Sequence, residues 1–141
     1  MHNINKIQDV VIEDFSMFDD WMGKYEHLIE FGKALPLIDP QYKTEMYLVR
    51  GCQSKVWLNS SIENGKIIFK ADSDAIITKG LVGLLLKVLS NHSPEEIVNA
   101  DLYFIKKIGL HEHLSLTRSN GLVAMIKQMK RDALAYQIKN S

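Results

Sequence analysis

Val56-Trp57-Leu58-Asn59-Ser60-Ser61-Ile62, then Glu63-Asn64-Gly65, then Lys66-Ile67-Ile68-Phe69-Lys70: this stretch decides the fold. Two runs rich in β-branched and aromatic residues flank an Asn-Gly pair. Both turn residues accept positive φ, which a two-residue hairpin turn demands. Glu63 and Lys66 carry opposed charges and suit a cross-strand pair beside the turn. Upstream, Met46-Tyr47-Leu48-Val49 is short, apolar and partly β-branched, and reads as a third strand. Between it and the hairpin lies the polar connection Arg50-Gly51-Cys52-Gln53-Ser54-Lys55. The expectation is a small antiparallel three-stranded sheet with Cys52 at the tip of one connection.

Outward from the hairpin the period changes to that of helices. Residues 76–89 form the most apolar run, with Ser73 or Asp74 as the expected cap. Gly80 and Gly83 lower its intrinsic propensity, so burial must hold it. Ser93-Pro94-Glu95-Glu96 spells a capping box with Pro at the first helical position. Leu102-Tyr103-Phe104-Ile105 then runs to a stop at Gly109. Leu122, Ile126, Met129, Ala133 and Tyr136 mark a long C-terminal helix, with Thr117 or Ser119 as its expected cap. Toward the N-terminus, Ile4, Ile7, Val11, Phe15 and Phe18 share one helical face. Asp19 is the expected cap of a second helix through Met22, Tyr25, Leu28 and Leu35, and Pro36 and Pro40 end it. Two helices, three strands, then helices make an α+β architecture in one domain, residues 1–141.

With 141 residues, 46% hydrophobic and 24% charged, the chain can bury a sizeable core and is neither disordered nor fibrous. Seventeen Lys+Arg balance seventeen Asp+Glu, so no net field draws in nucleic acid or an anionic membrane. The apolar run 76–89 is too short to span a bilayer and carries Lys79 and Lys87. The N-terminus lacks the pattern of a signal peptide, and one cysteine cannot form an internal disulfide. The expectation is a cytoplasmic protein.

Cys52 is the most informative residue. A lone cysteine is often an inert, packed hydrophobe. Here Gly51 permits a sharp turn, and Arg50 and Lys55 bracket the thiol, where cations favour thiolate. A thiol at such a loop tip is a candidate nucleophile. Of the five histidines, His27 and His92 read as solvated, while His111 and His113 alternate before the last helix. Two ordinary loop histidines are favoured over metal ligands, since no further ligands stand at a recognisable spacing. Asp72-Ser73-Asp74 reads as a helix cap before an acid–base pair, and Arg118 as a solvated charge unless the fold carries it to Cys52. Trp57 reads as a sheet-packing aromatic. There is no phosphate loop or dinucleotide fingerprint.

Gly51-Cys52-Gln53-Ser54-Lys55-Val56-Trp57, Asp72-Ser73-Asp74-Ala75 and Lys79-Gly80-Leu81 resemble the SufE family of sulfur acceptors, including its CsdE-type paralogues. So do Ser93-Pro94-Glu95-Glu96-Ile97-Val98, His113-Leu114-Ser115 and Arg118-Ser119-Asn120-Gly121-Leu122. The resemblance runs from about residue 5 to the C-terminus. It implies an α+β fold similar to IscU-type scaffolds. It implies that Cys52 takes sulfane sulfur, as a persulfide, from a pyridoxal-phosphate cysteine desulfurase (SufS-like). The sulfur would then pass toward an iron–sulfur scaffold complex (SufBCD-like). Gly51, Gln53, Ser54, Asp74, His113 and Arg118 become the surrounding site by the same resemblance. No cofactor or metal is implied, and a monomer or a homodimer both fit. The chemistry is thiol–disulfide exchange with one sulfur changed, which needs an accessible thiolate, a mobile loop and a docking surface. A further expectation is that Cys52 tucks toward an apolar hollow between sheet and helices when idle. Three other readings compete: a Cys52–His113 hydrolase, an iron–sulfur or metal scaffold, and a binding module in which Cys52 is incidental.

Overall fold

Asn64 and Gly65 adopt φ of 52° and 79°, so the turn has positive φ at both central residues. They join strand β1 (Val56–Glu63) to strand β2 (Lys66–Ser73), with Glu63 paired to Lys66 beside the turn. In this computed structural model, residues 3–36, 38–52, 54–110, 114 and 116–139 are described, the side chains of 116–119 excepted. Around the hairpin stand helices α1 (Ile4–Ser16), α2 (Trp21–Lys33), α3 (Ile76–Leu89), α4 (Pro94–Asn99), α5 (Phe104–Ile108) and α6 (Leu116–Lys139).

Alternation along the strands sets the core. Val56 and Leu58 on β1, and Ile67, Phe69 and Ala71 on β2, are buried on one face. That face meets α3, whose residues are mostly buried, together with Leu122, Met125, Met129 and Ala133 of α6. Removing a side chain such as Phe69 or Ile67 from water stabilises the fold by roughly 2–3 kcal/mol each. The turn after α3 covers one end of β2. Ile67 donates its amide to the His92 carbonyl at 2.8 Å, and Phe69 donates to Ser90 Oγ at 2.9 Å.

The α+β class and the layer of helices over a small antiparallel sheet are as expected. The third strand is not: among the described residues the sheet has two strands, and the upstream segment contributes a single bridge, Leu48 to Trp57. Glu45–Tyr47 turns as a 3₁₀ helix instead, with Tyr47 packed edge-on to Tyr42 at 5.0 Å between ring centroids. Only Val49 remains to bond β1, donating to the Val56 carbonyl at 2.8 Å.

Caps moved by a residue or more. Asp20 rather than Asp19 caps α2, accepting from the Gly23 amide at 2.8 Å. Ala75 stands at the cap position of α3 with no side-chain bond, because Ser73 and Asp74 are engaged elsewhere. Helix α6 begins at Leu116, ahead of both Thr117 and Ser119. The capping box of α4 is present in both directions: Ser93 Oγ accepts from the Glu96 amide, and Glu96 accepts from the Ser93 amide, each at 3.2 Å.

Among the buried polar residues, Gln8 is the most deeply enclosed. Gln8 is fully buried on α1, donates to the Asp101 carbonyl at 3.0 Å and accepts from the Phe104 amide at 3.1 Å. It supplies the turn before α5 with the partners its backbone needs once buried.

Candidate functional site

Cys52 sits where the chain leaves the Leu48 bridge and turns back toward β1. The turn is tight at residues 50–51 and uses Gly51 at φ 96°. A side chain at Gly51 would be strained by that φ and would also press the Ala124 methyl, 3.2 Å from where its Cβ would stand. The loop therefore lies flat on α6. The exit of the loop is fastened: Lys55 donates its amide to Asp74 Oδ1 at 3.0 Å, and Asp74 donates its own amide back to the Lys55 carbonyl at 3.2 Å. Its entry is fastened by the Val49–Val56 bond. Among the described residues between these anchors, the thiol makes the single hydrogen bond to the rest of the molecule. Cys52 Sγ donates to the Gly121 carbonyl of α6 at 3.6 Å.

The sulfur is half-buried and packs against the edge of the hydrophobic core. Gly121 lies beneath it, and a Cβ there would stand 3.5 Å from the sulfur. Burial pushes the Cys52 thiol above its ordinary range. The expectation that Arg50 and Lys55 favour the thiolate is thus corrected: neither cation offsets the desolvation in this conformation. The S–H that bonds Gly121 is the neutral form. The thiol is tucked in, but its place differs from the one expected. The small apolar void between the sheet, α3 and α6 is lined by residues such as Val56, Leu85 and Met129, not by Cys52. The thiol instead borders an open hollow of about 290 Å³ with Leu48, Arg50, Ser54 and Lys55.

Of the residues expected around Cys52, Gly51 and Ser54 share its hollow, and Asp74 holds the loop exit. Asp74 is therefore a fastening for the loop's backbone. Gln53 and His113 lie outside the described residues. Arg118 lies in α6, three residues before Gly121, and its side chain is outside the described set. Asp72 pairs with Lys43 at 3.0 Å and Lys79 at 3.3 Å. Burial pushes its carboxyl up, but Lys43, the Ser73 amide and Lys79 outweigh that and hold it below the usual value. Lys43 also lies over the Trp57 ring at 5.0 Å. Two histidines read as solvated are not. His92 is only 5% exposed and lies 3.6 Å from Glu96, and His27 is wedged among Phe15, Phe18 and Phe31. Among the described residues, no three His, Cys, Asp or Glu side chains are grouped to hold a metal ion. No helix among them is long and apolar enough to cross a membrane.

The residues that sequence reading left without a role are Gly121 and Ala124. Their spacing of three is the signal: two small residues on one helical face let another backbone approach closely.

The chain's relatives carry the same family name. A family model described as "Fe-S metabolism associated domain", SufE, matches residues 9–133. An uncharacterised SufE-like protein of Rhizobium etli is 42% identical over 130 residues, covering 89% of this chain and 88% of its own. SufE-like protein 1, chloroplastic/mitochondrial, of Arabidopsis thaliana is 38% identical, covering 95% of this chain and 36% of its own. A solution structure of a hypothetical protein from Thermus thermophilus superposes with a TM-score of 0.74 at 25% identity, over 92% of this chain and 96% of that one. With its α+β layers and a family match spanning most of its length, the chain belongs to the SufE family, whose domain is associated with iron–sulfur metabolism.

Proposed function

We propose that the chain is a sulfur acceptor: Cys52 takes sulfane sulfur from the persulfide of a pyridoxal-phosphate cysteine desulfurase, stimulates that enzyme by clearing it, and hands the sulfur on for iron–sulfur cluster assembly. The observation that carries the reading is the tethering of Cys52. The loop is fastened at Val49 and Lys55, turned at a positive-φ glycine, and, among its described residues, hydrogen-bonded to the body between them by the thiol's own weak contact with Gly121. Releasing the S–H···O contact and the sulfur's packing at the edge of the core would free it while both anchors stay in place.

The exchange balances simply. The Cys52 thiolate attacks the terminal sulfur of the donor persulfide, the donor's S–S bond breaks, and the donor cysteine leaves as thiolate. The proton lost from Cys52 goes to solvent or to the leaving thiolate. In the tucked state the thiol is neutral and a poor nucleophile. Swinging out removes the burial that raises its pKa, and Arg50 and Lys55 at the loop's edges then favour the thiolate. Docking and activation are the same movement.

A binding module with an incidental cysteine also accommodates a half-buried thiol. Desulfurase turnover separates the two readings. Alanine production from L-cysteine is expected to rise on adding the wild-type chain and not on adding Cys52→Ser. Equal stimulation by both proteins would discard the acceptor role and leave the module.

A further inference from the structure

A groove of about 630 Å³ runs beside the sulfur loop, bounded by the Glu45–Tyr47 turn, β1 and the second half of α6. Three exposed cations line it: Arg50, Lys127 and Arg131. None of the three side chains has an ion pair or hydrogen bond with a described residue. The one acid in the lining, Asp132, is already taken, accepting from Ser60 Oγ at 3.0 Å and from Gln128 Nε2 at 2.9 Å. A chain with zero net charge thus gathers three cations, none of them paired among the described residues, against one carboxylate in this groove. Met46 stands at the same groove, 85% exposed.

The groove adjoins the site: Leu48 and Arg50 line both it and the hollow that holds Cys52. Helix α6 joins the two. Gly121 under the sulfur, Ala124 under the loop, and Gln128 and Arg131 in the groove recur at three, four and three residues along one face. From Gly121 to Arg131 the helix rises roughly 15 Å. Arg50 stands on the loop, and Lys127 and Arg131 stand one helical turn apart on α6, so the cations come from two elements rather than one cap. That layout suits an extended chain of negative charges better than one small anion, and the bare methionine offers it an apolar contact.

We infer that this groove docks an acidic segment, with an apolar side chain beside its carboxylates, of the protein that delivers sulfur to Cys52. The inference rests on the sulfur-acceptor reading and deepens it. The groove supplies encounter and orientation, and Cys52 supplies the chemistry.

Two measurements test it, using the full chain and the double variant Lys127→Glu with Arg131→Glu, whose wild-type side chains are exposed and make no hydrogen bond or ion pair with a described residue. In the first, amide resonances are followed while a hexaglutamate peptide bearing one leucine is added, and separately inorganic phosphate or an oligothymidylate. Shifts confined to residues around Leu48, Lys127 and Arg131, seen with the peptide and lost in the variant, support the groove. No shifts, or equal or stronger effects from phosphate or oligonucleotide, overturn it. In the second, the acceptor concentration giving half-maximal desulfurase stimulation is expected to rise about tenfold in the variant at low salt and to converge with wild type in high salt. The rate at saturating acceptor and the alkylation rate of free Cys52 are expected to stay unchanged. An unaltered half-saturating concentration, or a loss only in the saturated rate, overturns the inference. If the wild type neither stimulates nor accepts sulfur, the acceptor reading has failed. The peptide titration then decides the groove alone.

Discussion

Gly121 offers its carbonyl to the Cys52 thiol at 3.6 Å and puts no side chain over the sulfur. Replacing it with alanine would set a methyl 3.5 Å from the sulfur, an ordinary packing distance. In the helix interior the same change adds up to about 1 kcal/mol of helix stability. Gly121→Ala is therefore expected to melt at or above the wild-type temperature while its thiol reacts several-fold more slowly with iodoacetamide. Unchanged alkylation would show that Gly121 does not govern access to the sulfur. Because burial holds the thiol above its ordinary range, the wild-type alkylation rate is expected to go on rising with pH beyond about 8.5, where a free thiol is half-ionised. The place of Cys52 in a tight connection was legible in the sequence, since a glycine and flanking polar residues announce a turn. The direction of its pKa was not. It depends on burial against α6, a helix that lies more than sixty residues further along the chain, which no local pattern encodes.

Helices α2 and α3 meet backbone to backbone. A Cβ on Gly83 would stand 2.3 Å from the Phe31 carbonyl oxygen, and one on Gly80 2.5 Å from that of Leu28. These two glycines look like weaknesses of an apolar helix when read alone, yet they are what lets α2 approach. Gly83→Ala is expected to destabilise the fold by about 3 kcal/mol, since the two helices must part. In an isolated helix it would stabilise. A denaturant midpoint that rises in the variant would contradict the close-approach account. Several elements that local chemistry specifies were readable: the Asn64-Gly65 turn with its Glu63–Lys66 pair, the Ser93–Glu96 capping box and the stop at Gly109, which takes φ 89°. Those decided by tertiary competition were not. The segment before Cys52 had the composition of a strand, but tyrosine packing and the turn at Gly51 left it one bridge to β1. Ser73 and Asp74 had the composition of caps, but Asp74 was drawn to the sulfur loop.

Across the whole molecule, acid sensitivity near neutral pH has a contribution from His92, above the range where Asp72 and Glu96 act. Burial pushes its pKa below the ordinary histidine value, with Glu96 opposing and Lys66 assisting. The unfolded chain therefore binds a proton first as pH falls. Stability from the neutral imidazole is present above about pH 6.5 and is lost as pH drops through the lower folded value. His92→Gln is expected to flatten the stability profile on that acid side, and an identical slope in both proteins would contradict this. The fold's larger consequence is to bring a thiol from one loop, a carbonyl and a small-residue face from α6, and a cationic groove into one continuous surface. In the proposed function this surface loads sulfur onto Cys52. Intact-protein mass spectrometry after incubation with a cysteine desulfurase and L-cysteine tests it most directly. The expected result is a gain of one sulfur mass, removed by thiol reductant and absent from Cys52→Ser. No gain in the wild type, or an equal gain in the mutant, would contradict it.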